Sequence, residues 1–139
     1  MTLEDTIWID APPATVWVVT EDVERWPEWT PTVSSVTRVV DAPLGVGSVV
    51  RIKQPAQPES EWTVTTFEIG ERFAWTTQRL GLRMRAEHVL QPEDEGTRNT
   101  LRIEARGLVA FLLSPLLRPL IQRALAEENR GLKQHCEDL

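Results

Sequence analysis

The chain has no tyrosine and only one cysteine, Cys136. The first absence removes the phenol from any acid–base chemistry. The second excludes an internal disulfide and fits a reducing compartment. His88 and His135 are the only imidazoles, and with the lone cysteine they form no ligand spacing, so no metal centre is expected. There is no glycine-rich phosphate loop and no G-x-S-x-G, so no cofactor and no nucleophilic serine are expected either. Positive charge is scarce: 15 Lys and Arg against 21 Asp and Glu give a net charge of −6. That balance argues against nucleic acid as a partner and against an anionic membrane as the main one. Long apolar runs are missing too. The richest, Phe111–Ile121, contains Pro115, Arg118 and Pro119 and is far too short to span a bilayer, so no stable membrane insertion is expected. The opening residues, MTLEDT, are acidic where a secretory leader needs basic ones, and the expected location is the cytoplasm.

What remains is an ordinary globular composition, 41% apolar and 26% charged over 139 residues. That length buries a core without staples and predicts one domain over 1–139. Residues 7–29 carry most of the information. Ile7 and Ile9 alternate with Trp8 and Asp10, as in a half-buried strand. Pro12-Pro13 then opens a helix, because the fixed φ of proline suits a first turn where its missing N–H has no partner anyway. Val16, Trp17 and Val19 give that helix its apolar side. A second short helix is predicted over Asp22–Trp26, capped by Asp22 and broken by Pro27.

The middle of the chain predicts strands over Val33–Val40, Ser48–Lys53, Glu61–Ile69, Arg72–Gln78, Leu82–Leu90 and Thr97–Ala105, joined by short turns in an antiparallel meander. Gly96 is expected to supply the positive φ of the turn at 93–96. The face of Trp62 is open, because a bulge between 61 and 69 would reverse it. The last third predicts a long helix, with Ser114-Pro115 at its start, a kink near Pro119, and one apolar stripe of Leu117, Ile121, Leu125, Leu132 and Cys136. Glu127, Glu128, Arg130, Lys133 and Gln134 are assigned to its solvent side. Such a helix must bury its stripe on the concave face of the sheet, and the gap between the two is the expected functional space.

Five stretches together resemble the START-like (SRPBCC) superfamily, and within it the polyketide cyclase/dehydrase-type proteins. They are I-W-I-D-A-P-P-A-T-V-W (7–17), V-E-R-W-P-E-W (23–29), E-R-F-A-W (71–75), H-V-L-Q-P-E-D-E-G-T-R (88–98) and R-P-L-I-Q-R-A-L-A-E-E-N-R-G-L-K (118–133). The resemblance implies an α+β helix-grip fold: a strand, two short helices, six further strands, and a long C-terminal helix closing an apolar cavity. It also implies a range of functions, from lipid carriers through aromatases and cyclases to co-chaperone-like modules, so the fold does not settle the chemistry.

The residues expected at the cavity follow from strand alternation. Met84, Ala86 and His88 share one face, and Phe73 and Trp75 lie on the neighbouring strand, with Trp17 or Phe111 near the edge. Arg83, Arg85 and Glu87 take the opposite, solvated face, facing Arg102 and Glu104. His88 is the one titratable candidate, as a general base or as an anchor for a polar ligand group; the competing view is a core histidine satisfied by a neighbour. Phe73 and Trp75 either stack on a flat ligand or simply fill the core. Trp26 and Trp29 are expected to wedge the short helices against the sheet. Three functions remain: binding of a small apolar molecule (lipid, isoprenoid or polyketide-like), a cyclase or dehydratase using His88, and an interaction module with a collapsed cavity. Monomer and homodimer are both open.

Overall fold

The computed structural model describes residues 1–139. Strand β1 (Thr2–Ile9) is followed by helix α1 (Pro13–Glu21) and a 3-10 helix (Val23–Glu28). Six strands come next: β2 (Ser35–Arg38), β3 (Val49–Lys53), β4 (Ser60–Glu68), β5 (Arg72–Arg79), β6 (Leu82–Glu93) and β7 (Gly96–Arg106). Two helices end the chain, α2 (Leu108–Leu112) and α3 (Ser114–Glu137). The strands form one antiparallel sheet in the order β1-β7-β6-β5-β4-β3-β2. Strands β2 to β7 pair with their sequence neighbours, and β1 returns to β7 with Thr2 opposite Glu104 and Ile9 opposite Thr97. No helix is long and apolar enough to cross a membrane.

Local chemistry departs from the sequence expectation at several points and settles one that was open, the face of Trp62. Asp22 makes no side-chain cap, and Pro27 lies inside the 3-10 helix instead of ending it. What holds that helix is Trp26, 3% exposed, whose indole N–H donates to the Thr20 carbonyl at 3.0 Å. In the β6–β7 turn the positive φ angles belong to Asp94 (48°) and Glu95 (65°), the two central residues of a two-residue hairpin loop. Gly96 serves packing instead, because a Cβ there would run into the Ile9 carbonyl and the Trp8 ring. The β4 bulge falls between Val64 and Thr66, after Trp62, so Trp62 and Val64 both point inward and Phe67 rejoins them beyond it. Finally, Gly107 (φ 109°) turns the chain out of the sheet into α2, which the sequence did not announce, and Ser114 caps nothing. The helix assignment of α3 runs unbroken through Pro119.

Helix α3 buries Leu125, Leu132 and Cys136 from its stripe, while Leu117 and Ile121 are only half-buried. It also closes the sheet edge. Strand β1 has β7 on one side only, and an open edge leaves a row of unpaired backbone groups. Side chains of α3 meet that row: Gln122 donates to the Glu4 carbonyl (2.9 Å) and Lys133 to that of Trp8 (2.8 Å). Glu137 accepts from the Asp10 N–H just past the strand (2.8 Å). Asn129 is fully buried; on the inward face it donates to the Asp5 carbonyl (2.9 Å) and carboxylate (2.8 Å) and accepts from Asn99 on β7 (2.7 Å). Gly131 lets the helix press on the segment that follows the 3-10 helix, since a Cβ there would strike the Trp29 carbonyl.

Candidate functional site

Pairing of β5 with β6 sets Phe73 opposite His88 and Trp75 opposite Ala86. Alternation turns all four to the concave face. The Phe73 ring stacks on the imidazole with centroids 4.4 Å apart and planes 15° from parallel. Trp26 and Trp75 present edges to the same imidazole at 5.2 and 5.9 Å, and Trp62 extends the cluster to Trp75 at 6.1 Å. Between these rings and α3 lies a cleft of about 70 Å³, walled by Trp26, Val33, Ile52, Trp62, Trp75, Ala86, His88, Leu125 and Glu128 among others.

The polar end of the cleft is a pair that neither strand nor helix makes alone. His88 Nδ1 on β6 lies 3.9 Å from Glu128 Oε1 on α3, and His88 Nε2 has no hydrogen-bond partner. Burial pulls the imidazole down to about 3, because an imidazolium would lose its hydration among aromatic rings. The same cause pushes the Glu128 carboxyl up to about 7. Between those limits both groups are neutral, and the proton they could share resides on the carboxyl. An acid and a neutral base thus stand side by side in an apolar wall. The Cys136 thiol, also raised by burial, to about 11, is held in its inert form. No group of three or more His, Cys, Asp and Glu side chains converges as a metal ion would need.

The seven residues expected at the cavity separate into three sets. Trp75, Ala86 and His88 line the cleft. Phe73 is fully buried behind His88, and Trp17 is buried farther along, 5.4 Å from Phe67 and 6.3 Å from Phe73, with its indole N–H donating to Glu21. Met84 and Phe111 lie elsewhere. Met84 is half-buried beyond the end of the cleft and borders a polar hollow with Thr77 and Arg83. Phe111 is 76% exposed, because Gly107 carries α2 off the sheet before that side chain could turn in. Glu128, assigned to solvent in the sequence, turns inward. The signal was there: Ile121, Leu125, Glu128 and Leu132 follow the i, i+4, i+7, i+11 spacing of one helix face. Trp26, expected as a wedge, both wedges and walls the cleft.

An antiparallel seven-stranded sheet gripping one long C-terminal helix, with short helices after its first strand, is the helix-grip architecture of START-like proteins. The chain belongs to the family described as polyketide cyclase / dehydrase and lipid transport, whose model matches residues 1–137. Solved structures agree on the fold. The Thermus thermophilus protein TTHA0849 superposes with a TM-score of 0.78 at 22% identity, covering 98% of this chain and 97% of that one. A START superfamily protein from Mycobacterium smegmatis gives 0.79 at 16% identity, covering 99% and 97%. The di-domain ARO/CYC protein StfQ of the steffimycin biosynthetic pathway gives 0.81 at 14% identity, covering 99% of this chain and 51% of StfQ. No curated protein matches the sequence significantly.

Proposed function

We propose that the protein binds a small hydrophobic molecule carrying one hydrogen-bonding group, with its apolar body among Trp26, Trp62 and Trp75 and its polar group on His88. The observation that carries this reading is the unpartnered Nε2 of a buried histidine in the wall of an apolar cleft. A buried polar atom left alone is costly, so a ligand acceptor or donor there removes a penalty already present. The family description, which includes lipid transport, supports the same class of cargo.

The cleft at about 70 Å³ holds roughly two waters at about 30 Å³ each, well below the roughly 300–1,000 Å³ of a drug-sized pocket. The occupied form therefore opens. Helix α3 is tied to β1 by hydrogen bonds along its length, so the wall that gives way is the opposite one, built on the 3-10 helix and β3–β4. Titration with a hydrophobic fluorescent probe, together with native mass spectrometry of the purified chain, tests the reading. Ala86→Leu fills the cleft and should abolish saturable binding while the fold persists. If the native chain shows no saturable binding and no co-purified ligand, the interior is a filled core and the protein is an interaction module.

A second reading has its own observation. His88 and Glu128 are displaced in opposite directions, the arrangement that separates a base from an acid in one site. That favours a cyclase or dehydratase using both on a polyketide-like substrate. His88→Ala that keeps probe affinity but removes conversion of such a substrate would establish the enzyme; altered affinity alone leaves the carrier.

A further inference from the structure

One end of the molecule carries large apolar side chains that nothing covers. Leu80, at the tip of the β5–β6 hairpin, is fully exposed, and Leu108, Phe111, Leu112, Leu116 and Leu120 are each more than half exposed. They form one surface. The Val109 N–H donates to the Gly81 carbonyl at 2.8 Å, and Val109 sits so close over Gly81 that a side chain there would collide with it. This seats α2 on the hairpin tip. Leu108, Leu112, Leu116 and Leu120 then recur in steps of four from α2 into α3. A patch of this kind on an isolated chain marks an interaction surface.

The surrounding charge identifies the partner. From Ala105 to Ala126 the chain has Arg106, Arg118 and Arg123 and no acidic residue; from Phe73 to Ala86 it has Arg79, Arg83 and Arg85 and again none. Arg83 and Arg106 are direct cross-strand partners, an unfavourable like-charge pairing; Glu61 and Glu104 border the same hollow, but their ion pairs go to Arg51 and Arg102. No ion pair forms at Arg83, Arg106, Arg118 or Arg123. In a chain of net charge −6, four of the cations that form no ion pair thus lie around the exposed leucines. The whole-chain charge conceals this.

We propose that this end docks peripherally on an anionic bilayer surface. Leu80, Phe111 and the leucines of α2 and α3 enter the boundary between headgroups and acyl chains, and the arginines meet lipid phosphates and carboxylates. A second copy is disfavoured, since two such faces would oppose arginine with arginine. The apolar groups protrude from separate elements, which suits a fluid surface that has no shape of its own to match. Docking here does not depend on what the cleft holds.

Cosedimentation of the full chain with vesicles is the test, using phosphatidylcholine alone or mixed with phosphatidylserine. One arginine near an anionic leaflet contributes roughly five-fold in affinity, so binding should rise on the order of ten-fold or more with phosphatidylserine. It should fall back in 1 M salt, where the Debye length is about 3 Å. Leu112→Glu with Leu116→Glu should reduce bound protein to background. Arg118→Gln with Arg123→Gln should lose most of the preference for phosphatidylserine, and circular dichroism should be unchanged in both variants. Equal binding to both vesicle types, or none to either, overturns the proposal. So does a concentration-dependent dimer removed by the leucine substitutions, which would assign the face to a second copy, or capture of an acidic protein by a chain that ignores vesicles.

Discussion

The two halves of α3 carry similar numbers of leucines and do opposite things with them. From Leu125 onward the helix buries Leu125, Asn129, Leu132 and Cys136 and bonds to β1 through Asn129 and Lys133 and to Asp10 just beyond it through Glu137. Before Ile121 it buries nothing fully, and Leu116 and Leu120 stand in solvent beside the leucines of α2. Hydrophobicity alone does not distinguish them. Polar residues do: the C-terminal half interleaves its apolar stripe with side chains that satisfy backbone and side-chain groups on β1 and β7. The N-terminal half has a single such tie, from Gln122 to the Glu4 carbonyl. A helix face becomes interior where both its apolar and its polar partners are met, and apolar residues alone do not make it so.

The sharpest way to break this contrast is truncation in the buried half. Leu132→Ala, at 2% exposure, should lower stability by about 2–5 kcal/mol, read from denaturant midpoints. Next comes the polar anchor. Asn129→Ala leaves the buried Asn99 amide and the Asp5 carboxylate without their partner, and should cost about 2–3 kcal/mol. If Asn129→Ala is as mild as a surface change, polar partners are not what separates the two halves.

Glu128 yields a smaller effect with a pH signature. Its folded pKa of about 7 lies above the unfolded value, so the folded chain prefers the protonated acid. Stability from this group is present at low pH and is lost as pH rises from about 4.5 through about 7. His88 runs the other way: its folded value of about 3 means stability is lost as pH falls below about 6.5. Between about 4.5 and 6.5 the folded and unfolded pairs each hold one proton, and the two slopes cancel. Glu128→Gln should therefore gain on the order of 1–2 kcal/mol over the native chain at pH 8 and little at pH 5, measured by thermal or denaturant unfolding at both. The smallest effect belongs to the exposed half. Leu116→Ser should stay within about 0.5 kcal/mol of the parent in stability, by the same unfolding measurement. A loss near that of Leu132→Ala would show that this half is packed after all.

Much of the fold was written in local signals. Pro12-Pro13, the alternation of Leu82–Leu90 and the spacing of Leu125, Leu132 and Cys136 each act over a few residues, so sequence order exposed the meander, the N-terminal helices and the closing helix. The site was less legible because it is assembled from distant elements. His88 faced inward by alternation, but its neighbour comes from forty residues farther on, and Glu128 was read by its charge when its helical phase pointed in. Trp62 could not be assigned until the bulge was placed between Val64 and Thr66. Phe111 and the stretch around it looked like a cavity edge because apolar residues usually seek the interior; one glycine with a φ of 109° sends them outside.

The dependence of β1 on β7 and α3 has a consequence for synthesis. Strand β1 leaves the ribosome well before β7, so Thr2 finds its partner only at Glu104, and its other edge is met by residues from Gln122 onward. At roughly 5–20 residues per second the nascent strand waits about 5–20 seconds unpaired. Its alternating sequence limits the hazard of that interval: Thr2, Glu4, Thr6 and Trp8 on one side, with Asp5 among the hydrophobics on the other, leave no continuous apolar tract for a neighbouring nascent chain to template on. The acid that keeps β1 from premature association is the same Asp5 that later receives Asn129, so one carboxylate guards the strand during elongation and fastens it at the end.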